Sequence, residues 1–371
     1  MNEKKKKKVA HLTSVHQRYD TRIFYKMCCS LSKNHYEVYL IVADGKKSEK
    51  NNQVNIINAS NKAKKRIFRM VLSVNDIFKK AVKINADIYH FHDPELLPIS
   101  LKLKKLGKKV IFDSHEDYPK QFLDKPYLNK LTRLFLSKLF EKYEKIICNR
   151  LDAVVAATPF IAKKFVKINK NTLNINNYPI ITKPKNIGLW KNKKNEVCLI
   201  GGISKIRGIE QILEAISYFD DLKINWAGRA DDKIYLDEIK KHKNWKKINE
   251  LGFLNRKELT KVLARSKIGL AIFLPADNYI NALPTKMFEY MLAGIPVIAS
   301  DFPLWKKIIE GENCGICVNP CKPKQIAKAI NFLFSNPLLA KKMGENGIKA
   351  VLSKYNWVIE EKKLLKLYRE L

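Results

Sequence analysis

A chain of 371 residues with 46% hydrophobic and 10% aromatic side chains is long enough to bury about two cores and too apolar to be disordered. No run approaches the length of a membrane span, and seven cysteines without a secretory signal point to reduced thiols rather than a disulfide scaffold. A net charge of +35 predicts an anionic partner or surface (nucleic acid, acidic lipid or phosphorylated substrate) unless it is a generic Lys-rich surface in a chain rich in Lys and Asn.

The start carries a lysine run, Lys4 to Lys8, but the segment after it is too polar for the apolar part of a signal peptide, so cytoplasmic residence is expected. Strands are predicted over Val9 to Leu12, Glu37 to Val42, Val54 to Asn58, Asp87 to Phe91, Lys108 to Phe112 and Ala153 to Ala157, with helical patterns between most of them. A polar loop bearing His11, His16, Arg18, Asp20 and Arg22 follows the first strand. The fourth ends in His90, Phe91, His92, Asp93, Pro94 and Glu95. Alternation puts His90 and His92 on one face with Ile88, so at least one is a buried, satisfied histidine, while His92 and Asp93 fall at the rim. The fifth ends in Asp113, Ser114, His115, Glu116 and Asp117, at the carboxyl edge where parallel sheets place functional groups. His90, His92, Asp93 and His115 have a ligand-like spacing, but no further His-Asp motif completes a metal site. Two segments, Lys62 to Leu72 and Lys130 to Phe140, interleave cations with large apolar residues at helical spacing. They read either as ordinary surface helices or as contacts with an anionic membrane.

After a polar, Pro-containing stretch the pattern restarts, with strands predicted over Val197 to Ile200, Lys223 to Ala227, Ile248 to Leu251, Ile268 to Phe273, Pro296 to Ala299 and Gly315 to Val318. The expected organisation is an α/β chain with a first domain over 1–175, a linker over 176–194, a second domain over 195–344 and a terminal helix over 345–371. Two doubly wound parallel sheets of this kind are expected to face a central cleft. Cys314, Cys317 and Cys321 resemble a metal clip in spacing, but the run between them reads better as a short buried strand. No Asp-x-Asp metal motif appears, and Asp231-Asp232 is an ordinary surface pair.

Residues 281 to 301 carry the strongest signal. Pro284 and Thr285 suit a helix start, Met287, Phe288, Met291 and Leu292 form its apolar face, and Ala293-Gly294 ends it before a strand at Pro296. Exposed amides at the front of that helix attract an anion. Asn281 and Glu289 lie eight apart, and only Glu289 is clearly inside the helix. The segment resembles the signature of the retaining nucleotide-sugar glycosyltransferases of family 4, with the two-domain GT-B fold. There a Glu, seven residues and a second Glu precede a Gly-x-Pro-Val strand. Here Glu289 is the second acid and Asn281 replaces the first. The likeness extends over essentially the whole chain, including a tail that in such enzymes packs back toward the first domain.

The resemblance implies a role for each matching position. Glu289 would hold the ribose hydroxyls, Asn281 would touch the donor sugar, and Leu283, Pro284, Thr285 and Lys286 would cradle the diphosphate. In the turn after the seventh predicted strand, Gly201 and Gly202 let backbone approach a phosphate and Arg207 reaches its oxygens. Gly202 stands where the family has Arg, and Arg207-Gly208 falls on its Lys-Gly. Gly228, Arg229, Gly252, Phe253 and Leu254 occupy the nucleotide's places, although Phe253 and Leu254 read equally well as core side chains. His115 matches the family's cleft histidine. His16, Arg18, Asp20, His92, Asp93 and Glu116 fall on the acceptor side. The implied chemistry is sugar transfer with retention from a nucleoside-diphosphate sugar to a glycan or lipid-linked glycan, by front-face attack and without a metal or other cofactor. An anionic membrane surface is an expected partner and specific nucleic acid is not. A nucleotide-sugar epimerase, a basic nucleic-acid-binding protein and an inactive partner subunit are the rival readings.

Overall fold

The computed structural model describes residues 6–60, 72–123, 128–181, 190–230 and 232–371. The segment Lys62 to Leu72, but for its last residue, lies outside the described residues, as do Lys4, Lys5, the 182–189 part of the expected linker, and Asp231. The chain divides into two compact units, one made of Met1–Asn177 with Trp357–Leu371 and the other of Tyr178–Asn356.

The first unit is built on eight strands: β1 (Lys8–Leu12), β2 (Glu37–Val42), β3 (Glu49–Asn51), β4 (Val54–Asn58), β5 (Ile88–Phe91), β6 (Lys109–Ser114), β7 (Ala153–Ala156) and β8 (Thr172–Asn174). They lie in the order β3-β4-β2-β1-β5-β6-β7-β8, all parallel except β3, which runs antiparallel to β4 at the edge. Central strands such as Ile-Tyr-His-Phe in β5 and Ala-Val-Val-Ala in β7 are buried throughout, as expected for a parallel sheet covered on both faces by helices. The order reverses between β1 and β5, which places His11 directly beside His90 in the register and opens the switch point where such sheets hold ligands.

The second unit has six parallel strands: β9 (Val197–Ile200), β10 (Ile224–Ala227), β11 (Ile248–Gly252), β12 (Ile268–Ala271), β13 (Val297–Ser300) and β14 (Gly315–Val318). Their order is β11-β10-β9-β12-β13-β14, with the reversal between β9 and β12. Separate apolar clusters fill the two faces of this sheet, one around Trp226 and Ile330, the other around Met287, Phe288 and Trp305. The Cys314 to Cys321 run forms β14 and its flanks, as the strand reading expects. Cys314 is buried and Cys321 is exposed.

The tail departs from the single helix expected over 345–371. It is two helices, Pro337–Ser353, which belongs to the second unit, and Trp357–Glu370, which belongs to the first. Asn356 makes the break, because its side-chain amide donates to Val351 O (2.9 Å) and Leu352 O (3.0 Å) and so satisfies carbonyls that a helix end leaves open. Within the first unit, Trp357 Nε1 donates to Ser30 Oγ (3.0 Å) and the buried Glu360 accepts from the Asn176 amide (2.9 Å).

Candidate active site

In the first unit the carboxyl ends of β1, β5 and β6, with the loop after β1, bring together five histidines and a buried ion pair. Asp113, the fifth residue of β6, is fully buried and takes a two-pronged contact from Arg22, Nε to Oδ2 at 2.9 Å and Nη2 to Oδ1 at 2.7 Å. Arg22 sits in the wide helix Thr21–Cys28, whose start is capped by Asp20 Oδ1 accepting from the Arg22 and Ile23 amides. Burial alone would push the Asp113 carboxyl up, yet the Arg22 guanidinium, with the hydrogen bonds from His115 and His92, holds it well below the usual carboxylate range.

Asp113 Oδ2 also faces His115 Nε2 (2.9 Å) and His92 Nδ1 (3.2 Å). A carboxylate can only accept, so His115 carries its proton on Nε2 and presents the Nδ1 lone pair, which has no hydrogen-bond partner among the described residues. His92 is by the same logic protonated on Nδ1, which makes its Nε2 the acceptor of His11 Nδ1 at 2.8 Å. The His11 Nε2 then faces the Tyr368 hydroxyl (3.3 Å), which lies 2.7 Å from His90 Nδ1. Burial pushes His11 and His90 well below the ordinary histidine value and His92 down to about 4, so these rings are neutral at physiological pH.

His16 is the opposite case. Its Nε2 lies 3.4 Å from Asp93 Oδ1 and its Nδ1 3.6 Å from Asp20 Oδ2. Burial works against its charge, but the Asp20 hydrogen bond and the Asp93 and Asp20 charges outweigh it and raise its pKa. Its ring centre is 5.0 Å from that of His115, so a ring whose charged form is favoured stands beside His115.

Of the residues expected on the acceptor side, His16 and Asp20 gather near His115. His92 and Asp93, expected at the rim, are instead buried, because the loop after β1 folds over them. Asp93 Oδ2 accepts from Thr13 Oγ1 (2.7 Å) and the Ser14 amide (2.7 Å), which is how a loop without glycine is shaped. Arg18 turns elsewhere, its guanidinium held by Asp44 at 2.7 and 2.8 Å. Glu116 is exposed and pairs with Gln121. Sequence alone noted Asp113, Arg22 and His11 only as members of polar segments, without a role, and did not single out Tyr368. Asp113 and Arg22 are 91 positions apart, and only the fold reveals their pairing.

In the second unit the carboxyl ends of β9, β10 and β11 meet in a glycine cluster. A Cβ on Gly228 would lie 2.0 Å from Gly201 O, so the backbones approach as only glycine allows, and the Gly228 amide donates to Gly252 O (2.8 Å). Arg207 Nη1 donates to Gly202 O (2.9 Å) and fills the space a side chain at 202 would enter, 2.6 Å from where its Cβ would be. Arg207 and Lys286 flank the Phe273 ring, at 5.9 and 5.2 Å from its centre. Lys286, the second residue of the helix Thr285–Leu292, is buried and its Nζ has no hydrogen-bond partner among the described residues. Burial first, and the Arg207 charge second, push its pKa down to about 7. No side chain caps this helix, so its leading amides are open to an anion.

Glu289 lies inside the same helix and pairs with the exposed Arg256 (Nη1 to Oε1, 2.5 Å), a contact that solvent or ligand hydroxyls can replace. Asn281 stands outside it, just past the short turn Asp277–Ile280, where Trp305 Nε1 fixes the adjacent Ala282 O at 2.7 Å. Phe253 is 69% exposed, which overturns the core reading of its side chain, and its ring carries the Arg229 guanidinium at 4.6 Å. Leu254 and Leu283 pack against the apolar cluster beneath, leaving their backbone as the part that a ligand can meet.

Two protein-family models match the chain, Glycosyltransferase Family 4 over residues 21–172 and Glycosyl transferases group 1 over residues 181–350. An uncharacterised glycosyltransferase of Methanocaldococcus jannaschii is 26% identical over 294 residues, covering 74% of this chain and 71% of that protein. Among solved structures, sucrose-phosphate synthase from Thermosynechococcus elongatus superimposes with a TM-score of 0.77 at 15% identity, covering 98% of this chain and 99% of that one. Anabaena HepE, solved with UDP and glucose, gives 0.75 at 14% identity, with 98% and 100% covered.

Proposed function

We propose that this chain, which belongs to the GT-B glycosyltransferases, moves a sugar with retention from a nucleoside-diphosphate donor to a glycan or lipid-linked glycan of a bacterial surface polysaccharide. The observation that carries the donor half of this reading is the pairing of Arg207 and Lys286, with neither bonded to a carboxylate among the described residues, beside the open amides of Thr285–Leu292. A guanidinium, a buried amine and a helix start without a counter-ion suit a diphosphate, and they are placed to stabilise the charge that grows on it as the sugar leaves. Glu289 then takes the ribose hydroxyls in exchange for Arg256. HepE, which shares the fold, was solved with UDP-glucose, which supports a nucleotide sugar. His115, with its proton tied to Asp113, receives the acceptor hydroxyl at Nδ1. Asn281 leaves the sugar-contacting position without a carboxylate nucleophile, which favours front-face attack over a double displacement. An inverted anomeric centre in the product would overturn retention.

Arg207→Ala and Glu289→Ala are each expected to weaken nucleoside-diphosphate binding by about 1.5–3 kcal/mol while the fold survives. A thermal-shift panel of nucleoside diphosphates and their sugars reads this directly, since ligand at a hundred times its Kd adds about 2.7 kcal/mol of stability. Unchanged affinity in both variants would sink the donor assignment. Conversion of a donor with no acceptor present would favour the epimerase reading instead.

The place of work proposed is the inner face of the cell membrane. The helix Lys130–Cys148 leaves Leu131 (80%), Phe135 (65%) and Leu139 exposed along one stripe, with Lys138, Lys142 and Lys145 around it. Among the described residues no helix is long and apolar enough to cross a membrane, so the contact proposed is peripheral. WaaG, a fold neighbour, is described as involved in lipopolysaccharide biosynthesis, which is in keeping with a lipid-linked acceptor. Replacing Leu131 and Phe135 together by Asp is expected to reduce sedimentation with anionic vesicles at least about tenfold, and added salt is expected to release the parent protein. Binding indifferent to anionic lipid and to salt would refute the docking.

A further inference from the structure

The Lys286 amine stands in an unusual setting. It is buried, bonded to nothing among the described residues, and placed in the first turn of the helix Thr285–Leu292, where the helix dipole is positive and disfavours a second positive charge. The groups around it supply little relief. The Arg207 guanidinium comes from the turn after β9, and Cys198 of β9 is held as a thiol by burial that pushes its pKa up to about 12. Glu289, one turn along the same helix, is engaged by Arg256, and the segment after β12 offers only the face of Phe273. An ammonium in this setting lacks water, an acceptor and a counter-charge together, and it sheds its proton more readily than it stays charged.

Building on the donor reading, we propose that Lys286 is uncharged in the empty site and takes up a proton from solvent when the diphosphate arrives, returning it when the nucleoside diphosphate leaves. The phosphate oxygens supply the acceptors and the negative charge the amine lacks. The site therefore binds its ligand and a proton together, and affinity weakens as pH rises above neutral. With its pKa pushed down to about 7 in the empty site, uptake is small near pH 6 and approaches about one proton near pH 8.

The test is calorimetric titration of the protein near pH 8 with uridine, guanosine and adenosine diphosphates in Hepes and in Tris, whose ionisation enthalpies differ. The expected result is a binding enthalpy that differs between buffers by close to one proton's worth, and no such difference for Lys286→Met at ligand concentrations that still saturate it. Binding with the same enthalpy in both buffers overturns the proposal while leaving the donor site intact. Should none of the diphosphates bind, the donor reading itself fails, and the ligand-free protein still decides the amine. A lysine Cε resonance that titrates near neutral pH and is missing from Lys286→Met upholds the uncharged state, whereas lysine resonances that all titrate above about 9 overturn it.

Discussion

Asp113→Ala is expected to destabilise the first unit by about 3–5 kcal/mol, the largest loss for any single change at this site. Arg22 would be left buried with both prongs of its guanidinium unpaired, and His115 and His92 would each lose the oxygen that fixes their protons. Against a typical total of about 5–15 kcal/mol, that is enough to move a denaturant midpoint far below the parent's. Asp113→Asn separates stability from chemistry. Its carbonyl can still accept from Arg22, but its amide can donate to His115 Nε2, which would send the imidazole proton to Nδ1 and close the lone pair proposed to serve the acceptor. Folded Asp113→Asn is thus expected to be far slower in turnover than its loss of stability explains. Replacing Arg22 and Asp113 together by Met and Leu should recover much of the stability and none of the turnover. A loss under about 1 kcal/mol in Asp113→Ala, measured by chemical denaturation, would contradict the reading of this pair.

His115→Ala is expected to lower turnover at least about a hundredfold while nucleoside-diphosphate affinity stays as it was. The asymmetry comes from location, since His115 belongs to the first unit and Arg207, Lys286 and Glu289 belong to the second. Steady-state rates set against calorimetric Kd values make the comparison. Turnover within a few-fold of the parent would make His115 a structural residue.

The central strands were legible because their residues are apolar without a break, as in Val-Cys-Leu-Ile of β9 and Ala-Val-Val-Ala of β7. The edge strands β3, Glu-Lys-Asn, and β8, Thr-Leu-Asn, escaped notice because nothing in their composition distinguishes them from turns. They exist because a neighbour offers an open ladder. The candidate donor positions of the second unit come from short segments that each carry a local mark, the glycine turns at 201, 228 and 252 and the Pro284-Thr285 helix start. The cluster in the first unit is assembled from residues 11, 16, 22, 92, 113, 115 and 368, and its logic is electrostatic. Which histidine is held neutral and which has its pKa raised depends on how burial weighs against the carboxylates in reach, and no spacing rule encodes that. Arg18 shows the same limit from the other side, a cation within a polar motif that spends its charge on Asp44.

The helix Trp357–Glu370 carries a consequence for how the molecule is made. It delivers Tyr368 to His11 and His90, Trp357 to Ser30 and Glu360 to Asn176, yet residues 178–356 lie between it and the sheet it completes. During synthesis the first sheet must therefore wait, its histidine stack lacking the tyrosine hydroxyl, while the whole second unit emerges and is free to fold ahead of it. The first unit thus cannot reach its final form until the second has been translated, and until then its sheet stands without its last helix.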